Sequence, residues 1–288
     1  GGLPARFNMP EVDRKYAQIA AYVQAETEKA LSQLAQKVHE LTGEENLCIA
    51  GGCGLNSVAN AKIVSLEIFD NIFIQPAASD AGIPLGTSLW GYHEYFHQPH
   101  RFSMGNASLS RPYTKEQILS SLSCSSLHLY DFNGCYERMC RVVAQLLSSG
   151  NIIGWFQGSS EFGPRGLGSR SILADPRVSI SRDRLNNNIK KRELWRPFAP
   201  SVLEEWAEDC FISERKEPYM LSVVSVSAEW RDKIPACLHC DDTARYQTVA
   251  KDIFPLFYML IEEFRKATSI PLVVNTSFNR AGEPIIET

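Results

Sequence analysis

Short apolar segments that end at glycine-containing turns alternate with segments of helical periodicity along this chain of 288 residues. The run from Leu47 to Ala50 predicts a strand, and the glycine turn after it leads into a segment that predicts a helix. Further strands are predicted over 71–75, 151–156, 220–226 and 271–279, and helices over 16–41, 115–122, 136–147 and 255–267. The pattern predicts layers of helices and sheets of the α/β or α+β class.

The chain is long enough for two domains, and its hydrophobic fraction of 44% provides core-forming residues for both. Residues 101–112 are polar and contain glycine and proline, which is typical of a linker. We therefore place a domain boundary near residue 105, with one domain over 1–105 and a second over 106–288.

Charge and hydropathy exclude several classes of protein. The net charge of -4 argues against the broad basic surface that nucleic-acid binding requires. No apolar run approaches the roughly 20 residues of a membrane helix, and the N-terminus lacks the features of a signal peptide. We therefore expect a cytoplasmic protein without a membrane partner. Because the first residue is Gly1 rather than methionine, we also expect a portion of a longer protein.

The stretch from Trp155 to Leu203 concentrates positive charge in a chain that is acidic overall. Its cationic residues lie among glycines and prolines, and they are Arg165, Arg170, Arg177, Arg182, Arg184, Lys190, Lys191, Arg192 and Arg196. A local cationic cluster indicates a bound anion, and guanidinium groups hold phosphate oxygens with forked, charge-assisted hydrogen bonds. We expect surface ion pairs for Arg182 and Arg184. The members beside glycine, aromatic and proline residues are expected to face the ligand, namely Arg165, Arg170, Arg192 and Arg196.

Polar residues also follow two of the predicted strands. Asn275, Ser277 and Asn279 stand where open α/β sheets bind ligands, although the same segment is a good turn sequence. Gly51 and Gly52 are typical of a turn that presents backbone N–H groups to a phosphate or nucleotide, and equally of a tight turn that requires glycine.

Metal binding has three weak signals in the residues themselves. Asp80 follows a predicted strand, where a carboxylate ligates a metal or caps a helix, and the cap is favoured. His93 and His97 match HExxH, with His100 as a third ligand, but Pro99 ends the helix and a solvated helix end is favoured. Cys237 and Cys240 form a single CxxC pair, and a structural zinc site needs a second pair that this sequence does not place at the usual spacing. We expect most of the eight cysteines to be reduced, buried thiols.

Several long segments together resemble the carbamoyltransferase family of the NodU/CmcH type, whose members place a carbamoyl group on a hydroxyl of a sugar or antibiotic. They read FQGSSEFGPRGLGSRSILADPR, LNNNIKKRELWRPFAPSVL, HCDDTARYQTV and NTSFNRAGEPI, while IAGGCGLNSVANAKI and QPAASDAGIPLG resemble the family's other domain. The resemblance implies that residues 106–288 are a YrdC-like domain that makes carbamoyl adenylate from carbamoyl phosphate and ATP. Residues 1–105 would be part of an actin-like ATPase-fold domain, of the ASKHA type, that transfers the carbamoyl group.

The resemblance also implies roles for individual residues. Contacts to phosphate and carbamoyl groups would come from Arg165, Arg170, Lys190, Arg192, Arg196, Asn275, Ser277 and Asn279. In the other domain, nucleotide would be bound by Gly51, Gly52 and Asn56, and a divalent metal, iron or magnesium, by Asp80. The family's paired histidine ligands lie in an N-terminal portion that this sequence lacks. That missing portion of the same enzyme is therefore an expected partner for full transfer.

The sequence departs from the family pattern at three positions. The family has arginine where this chain has Ser159, alanine where it has Gly166, and glycine where it has Asp242. The change at Ser159 removes one cation from the expected phosphate site. We predict an O-carbamoyltransferase, or a fragment of one, acting on a small hydroxyl-bearing acceptor such as a sugar, an antibiotic or another secondary metabolite. The alternatives are a non-catalytic relative that binds nucleotide or carbamoyl phosphate, and a zinc protease.

Overall fold

The computed structural model describes residues 14–99, 103–123 and 127–287. Within these ranges the helices are α1 Arg14–Thr42, α2 Ser57–Val64, α3 Ile83–Trp90, α4 Lys115–Ser123, α5 Tyr136–Ser148, α6 Ser179–Arg184, α7 Ala207–Cys210, α8 Ala228–Arg231 and α9 Pro255–Thr268. The strands are β1 Asn46–Ile49, β2 Asn71–Ile74, β3 Ile153–Phe156, β4 Arg170–Ala174, β5 Ala199–Leu203, β6 Val223–Ser225, β7 Thr243–Arg245, β8 Gln247–Val249 and β9 Leu272–Ser277.

The N-terminal part of the chain is built on a strand–helix–strand unit. β1 and β2 pair in parallel, with Leu47 opposite Ile72, and α2 forms the connection between them. α1 packs against α2, and it ends just before Gly43, whose φ of 67° places it in the left-handed region that glycine adopts without strain. The predicted order of strand, glycine turn and helix is therefore confirmed here.

A five-stranded mixed sheet organises the C-terminal part, in the order β3-β4-β9-β5-β8. β9 pairs antiparallel with both β4 and β5, and β5 pairs parallel with β8. The helices α5 and α9 pack together, and the core beneath them includes Leu147, Leu173, Phe257 and Phe264. The predicted mixed α/β character is confirmed.

Hydrogen bonds and a shared apolar cluster join the two parts. Asn60 Nδ2 donates to the Leu221 carbonyl oxygen at 2.7 Å, and Arg215 Nη2 donates to the carbonyl oxygen of Ile72 at 3.1 Å. The described part of the predicted linker is partly anchored: Ala107 is fully buried and its carbonyl oxygen accepts from Phe162 N at 2.6 Å, whereas Ser103, Gly105 and Leu109 are exposed. Residues 100–102, which include His100, lie outside the described residues.

Burial of the cysteines was predicted incorrectly. All seven described thiols are free, as expected, but four of them are exposed, namely Cys48, Cys53, Cys135 and Cys240. Two of these lie on or beside β1, in a two-stranded sheet that is too small to bury both of its faces. Cys124 lies outside the described residues.

α5 buries only part of its apolar surface. The helix buries Cys140, Ala144 and Leu147, whereas Val142 and Leu146 are exposed. Apolar residues cover more than one side of this helix, so their spacing alone did not determine which side meets α9. Among the described helices, none has the length and apolar character needed to cross a bilayer.

Candidate functional site

A small cationic cavity of about 110 Å³ lies where the end of β9 meets the start of β5. We call it the arginine cavity, and it is lined by Pro164, Arg165, Gly166, Arg192, Pro197, Phe198, Ala199, Met220, Arg245, Asn275, Thr276 and Ser277. No acidic side chain is among the described residues that line it. The fold thus brings together five segments that are separated in sequence, around residues 164–166, 192–199, 220, 245 and 275–277.

Arg165 and Arg245 each have one buried guanidinium nitrogen that makes no hydrogen bond to the described part of the protein. The Nε atom of each is buried and lacks a hydrogen-bond partner among the residues that the structure describes. Burial lowers the pKa of Arg165, and it lowers the pKa of Arg245 to about 9, with the positive charges of Arg165, Arg192 and Arg196 adding to the effect. Clustered, unpaired cations of this kind are stabilised by a bound anion.

Arg192 is held in place by the protein. Its Nε donates to Asn186 Oδ1 at 2.7 Å, its Nη2 donates to the Pro197 carbonyl oxygen at 3.3 Å, and its guanidinium lies 4.5 Å from the ring centroid of Phe198. Burial, followed by repulsion from Arg196, lowers its pKa to about 10. Arg196 itself is exposed and lies 3.7 Å from Glu193, outside the cavity lining.

Glu161 shapes the loop that carries Arg165. Its Oε1 accepts backbone N–H hydrogen bonds from Leu167 and Ser169 at 2.7 Å each, and both carboxylate oxygens lie within 3.2 Å of Arg170 N. A carboxylate that accepts several backbone N–H groups fixes a loop strongly. The same loop approaches β9 so closely that a Cβ atom on Gly166 would lie 2.8 Å from Ser277 Cα.

Arg170 is fully buried, and its Nη atoms donate to the protein while its Nε has no partner among the described residues. Nη1 donates to the carbonyl oxygens of Gln157 and Ser169, and Nη2 donates to that of Gly158, at 2.8 to 3.1 Å. Its guanidinium lies 3.5 Å from the ring centroid of Phe156. These contacts place Arg170 behind the loop, outside the arginine cavity, and its contact with a ligand stays a prediction.

Lys190, Ser277 and Asn279 meet at the end of β9. Lys190 Nζ donates to the carbonyl oxygen of Ser277 at 2.7 Å and to Asn279 Oδ1 at 2.8 Å, while Ser277 Oγ donates to the same amide oxygen at 2.6 Å. Burial, together with the positive charge of Arg192, lowers the pKa of Lys190 to about 8. The structure therefore brings these three predicted residues together at the end of β9, and of the three Ser277 lines the arginine cavity.

A second, larger cavity of about 530 Å³ lies beside β1 and β2. Gly51 and Asp80 both line it, although they are separated in sequence. Asn56 is half-buried and caps α2, accepting from Ala59 N at 3.1 Å and exchanging hydrogen bonds with Gln24. Gly52 begins a short 3-10 turn after Gly51, whose φ is 92°.

The described residues do not fit a metal on their own. They contain no group of three His, Cys, Asp or Glu side chains that would hold an ion, and Asp80 is an exposed carboxylate at the start of a 3-10 turn. His93 lies in a π-helical turn and His97 has a φ of 51°, so the helical spacing that the HExxH motif needs is lost. Metal binding by Asp80 stays a prediction for a complete protein.

Sequence reasoning missed two residues of this site and overvalued some others. Arg245, at the end of β7, joins the cavity only through the fold, and Glu161 acts through backbone N–H groups that no sequence motif indicates. Arg182 pairs with Asp183 at 3.5 Å as expected, whereas Arg184 donates to the carbonyl oxygen of Gly150. The only signal for Arg245 was its place in the segment HCDDTARYQTV.

Ser159 does not line the arginine cavity in the described structure. The cations that do line it are Arg165, Arg192 and Arg245, so the departure at this position leaves all three guanidinium groups of the cavity in place.

Comparisons with known proteins cover nearly the whole chain. The family model for the carbamoyltransferase C-terminus matches residues 144–288, and the model for the carbamoyltransferase N-terminus matches residues 5–89. An uncharacterized protein of Synechocystis sp. is 39% identical over 310 residues, which cover 99% of this chain and 50% of that protein.

Two rhizobial relatives show similar identity. The nodulation protein NolO of Bradyrhizobium diazoefficiens is 37% identical, with 95% of this chain and 50% of that protein covered. The nodulation protein NolNO of Sinorhizobium fredii is 38% identical, with 95% and 41% covered. The chain thus spans about half the length of the curated relatives it matches.

Proposed function

This chain belongs to the carbamoyltransferase family, as its sequence predicted, and we propose that its arginine cavity binds carbamoyl phosphate for the synthesis of carbamoyl adenylate. The observation that carries the proposal is the convergence of Arg165, Arg192 and Arg245 on one small cavity whose described lining contains no acid. Three guanidinium groups match the oxygens of a phosphate, which accepts forked hydrogen bonds from each.

The chemistry requires stabilisation of negative charge. Joining the carbamoyl group to AMP releases phosphate from carbamoyl phosphate and pyrophosphate from ATP, and it consumes one water molecule. Each displacement places negative charge on a departing oxygen, and fixed cations stabilise that charge without reorganising. Arg192 is oriented by Asn186, while Arg165 and Arg245 keep donors free for the ligand.

The size of the cavity defines which part of the reaction it serves. A volume of about 110 Å³ accepts a small phosphate but is well below the roughly 300 to 1,000 Å³ of sites that enclose larger organic ligands. Carbamoyl phosphate is therefore the ligand that fits inside, and the nucleotide extends outward from the opening. Lys190 adds a further cation beside Ser277, which lines the cavity.

We assign transfer of the carbamoyl group to its acceptor, the step after adenylation, to the domain over residues 1–105. We infer that residues 106–288 are the YrdC-like adenylation domain and residues 1–105 part of an actin-like ATPase-fold transfer domain. The turn at Gly51 would contact nucleotide, and Asp80 would hold a divalent metal together with histidines of the missing N-terminal portion. The proposed acceptor is a hydroxyl group of a sugar, an antibiotic or another secondary metabolite, in the cytoplasm.

Pyrophosphate release tests the proposal directly. The 288-residue chain is mixed with ATP and carbamoyl phosphate, and pyrophosphate is followed by a coupled assay, with a full-length relative alongside. Pyrophosphate that depends on both substrates is the expected result. If the folded chain releases none while the full-length relative does, adenylation by this chain is ruled out.

Ser159 motivates the second candidate function, a non-catalytic relative that binds carbamoyl phosphate or nucleotide. The family carries arginine at this position, and its loss is a reason for binding without turnover. Calorimetry with each substrate separates the two functions, because tight binding together with absent pyrophosphate release supports the binding protein.

A further inference from the structure

Gly163, in the loop that carries Arg165, lies directly against the turn over residues 75–80, which leads to Asp80. Its φ of 130° is strained for any residue but glycine, and a Cβ atom placed on it would lie 2.8 Å from the carbonyl oxygen of Pro76. No side chain therefore separates the two backbones at this point. Because Gly163 stands two residues before Arg165, the loop that brings this guanidinium to the arginine cavity rests on the N-terminal part of the chain.

The loop around Gly163 is closed by a strong hydrogen bond. Glu161 Oε1 accepts from Leu167 N at 2.7 Å, and both Gly163 and Arg165 lie between these two residues. A charge-assisted hydrogen bond of this kind fixes the two ends of the loop relative to each other. We therefore expect a displacement at Gly163 to be carried to Arg165.

The 75–80 turn lines the larger cavity beside β1 and β2. Residues 75 and 77–80 all belong to that lining. The turn is tight, because Gln75 Oε1 accepts from Ala77 N at 3.2 Å, and a Cβ atom on Gly82 would overlap the carbonyl oxygen of Ala77. One side of the turn therefore faces the larger cavity, and the other side supports Gly163.

A shared apolar cluster makes a second connection between the two cavities. Leu167, which is 1% exposed, packs in one cluster with Ile74, Ala199 and Met220. Ala199 and Met220 line the arginine cavity, whereas Ile74 ends β2 two residues before Pro76. Closely packed interiors compress little and transmit displacements. A wall of the arginine cavity and the strand that leads to the 75–80 turn thus belong to one packed body.

We propose that Gly163 is a positioning residue that couples the two cavities. Its contact with Pro76 sets the position of Arg165, and an anion bound by Arg165 in turn orders the 75–80 turn. The coupling rests on the proposed function, since it assumes that the arginine cavity holds an anion. Linkage makes the effect reciprocal, so a ligand that orders this turn from the larger cavity raises the affinity of the arginine cavity for its anion.

Amide hydrogen exchange of the 288-residue chain, with and without saturating inorganic phosphate, tests the coupling. We expect phosphate to slow exchange over residues 161–170, and also by at least about twofold at residues 77–80, which lie outside the lining of the arginine cavity. Slower exchange over 161–170 alone would overturn the coupling and leave the anion site intact. If calorimetry detected no phosphate binding, the proposed function would be contradicted, and the coupling with it.

Arg245→Met shows whether the response of the 75–80 turn arises from the arginine cavity. The change removes a guanidinium that lines this cavity. At a phosphate concentration just sufficient to saturate the unaltered chain, we expect the responses of both segments to shrink together. If exchange at residues 77–80 stayed slow while the response over 161–170 was lost, phosphate would be binding directly beside the turn, and the coupling would be overturned.

Gly163→Ala separates the contact from general effects on the fold. The added Cβ meets the Pro76 carbonyl oxygen, so we expect the Kd for phosphate to rise about two- to thirtyfold and the response at residues 77–80 to be lost at saturating phosphate. Gly158→Ala is the matched control, because Gly158 also has a positive φ, of 49°, but a Cβ there has no described atom within 4 Å. Its response should persist. A response that persists in a folded Gly163→Ala protein, or that is lost in both variants, contradicts the proposal.

Gln75→Met decides the question if Gly163→Ala does not fold. It removes the acceptor for Ala77 N and loosens the 75–80 turn from a position outside the arginine cavity. We expect the Kd for phosphate to rise about two- to fivefold, because the loop that rests on the turn loses part of its support. A purely structural role would alter the free energy of unfolding without altering this Kd, so an unchanged Kd in the folded variant contradicts the coupling.

Discussion

Lys190 and Ser277, which are 87 positions apart in sequence, are joined by a 2.7 Å hydrogen bond from the Lys190 ammonium to the Ser277 carbonyl oxygen. The bond ties the π-helical segment Leu185–Lys190 to the end of β9. Because Ser277 and Arg192 both line the arginine cavity, this bond fixes two of its walls relative to each other. The protonation state of Lys190 therefore bears on anion binding.

Anion affinity is expected to fall as the pH rises through about 8, which is the pKa of Lys190 lowered by burial and by Arg192. Below this value the ammonium is charged and attracts the anion, and above it that attraction is lost. With sulfate, whose charge is constant in this range, we expect affinity to fall roughly three- to fivefold between pH 6.5 and 8.5 in calorimetry. Lys190→Met should bind weakly at pH 6.5 and show no further decline. If the affinity of the unaltered chain for sulfate did not change over this pH range, the role of Lys190 would be contradicted.

Removing the cation at Arg245 should weaken phosphate binding without unfolding the protein. Arg245→Met takes away a guanidinium whose Nε has no partner in the described structure, so we expect about a 10- to 100-fold rise in the Kd for phosphate. The free energy of unfolding should stay equal or increase, since an uncompensated buried charge is removed.

The matched control for this change is Arg141→Met, which alters the net charge equally at an exposed ion pair with Glu263. Its phosphate affinity should remain close to that of the unaltered chain. Equal weakening in both variants would show that only the overall charge matters.

The ordering of elements was largely predictable from apolar runs and glycine stops. The last helix, expected over 255–267, is found at Pro255–Thr268, because its apolar spacing is regular and its ends carry clear signals. The strand expected over 220–226 is shorter, since Met220 has a φ of 57° that no strand accommodates. Asp242, where the family resemblance expects glycine, has a φ of 60°, which explains that preference.

The site was predictable only where its residues are close in sequence. Arg165 and Arg192 belong to one conspicuous cationic stretch, and both line the cavity. Arg245 lies outside that stretch and enters the site through the position of β7. The orientation of Asn275, whose Oδ1 has no hydrogen-bond partner within the described residues, depends on hydrogen bonds that connect three strands. No local sequence pattern reveals these bonds.

Loss of the Glu161 carboxylate should loosen the loop that carries Arg165. Glu161→Gln keeps an acceptor but loses the charge-assisted hydrogen bonds from Leu167 N and Ser169 N, so we expect the free energy of unfolding to fall by about 1–3 kcal/mol. Urea unfolding measures this loss, and amide hydrogen exchange should accelerate at Leu167 and Ser169. Glu193→Gln, at an exposed position, should change neither quantity. Undiminished protection in the Glu161 variant would contradict the role of this carboxylate.

Glu217 should make the stability of the fold depend on pH. It is 8% exposed and lines the same cavity as the β2 residues Ile72 and Ile74, and burial raises its pKa to about 7, partly offset by the positive charge of Arg215. A carboxyl group whose pKa is raised by folding stabilises the protein fully below its unfolded pKa, and this contribution is lost as the pH rises through 7.

Glu217→Gln cannot ionise, so its free energy of unfolding should match that of the unaltered chain at about pH 4, below the unfolded pKa of a glutamate, and exceed it at pH 8. The excess should be on the order of 3 kcal/mol, from a pKa displaced by burial. Urea unfolding at the two pH values measures it, with the exposed Glu208→Gln as the control. If the Glu217 variant were equally stable or less stable at pH 8, the carboxylate would have to be compensated where it lies, by Arg215 or by water at the contact between the two parts of the chain.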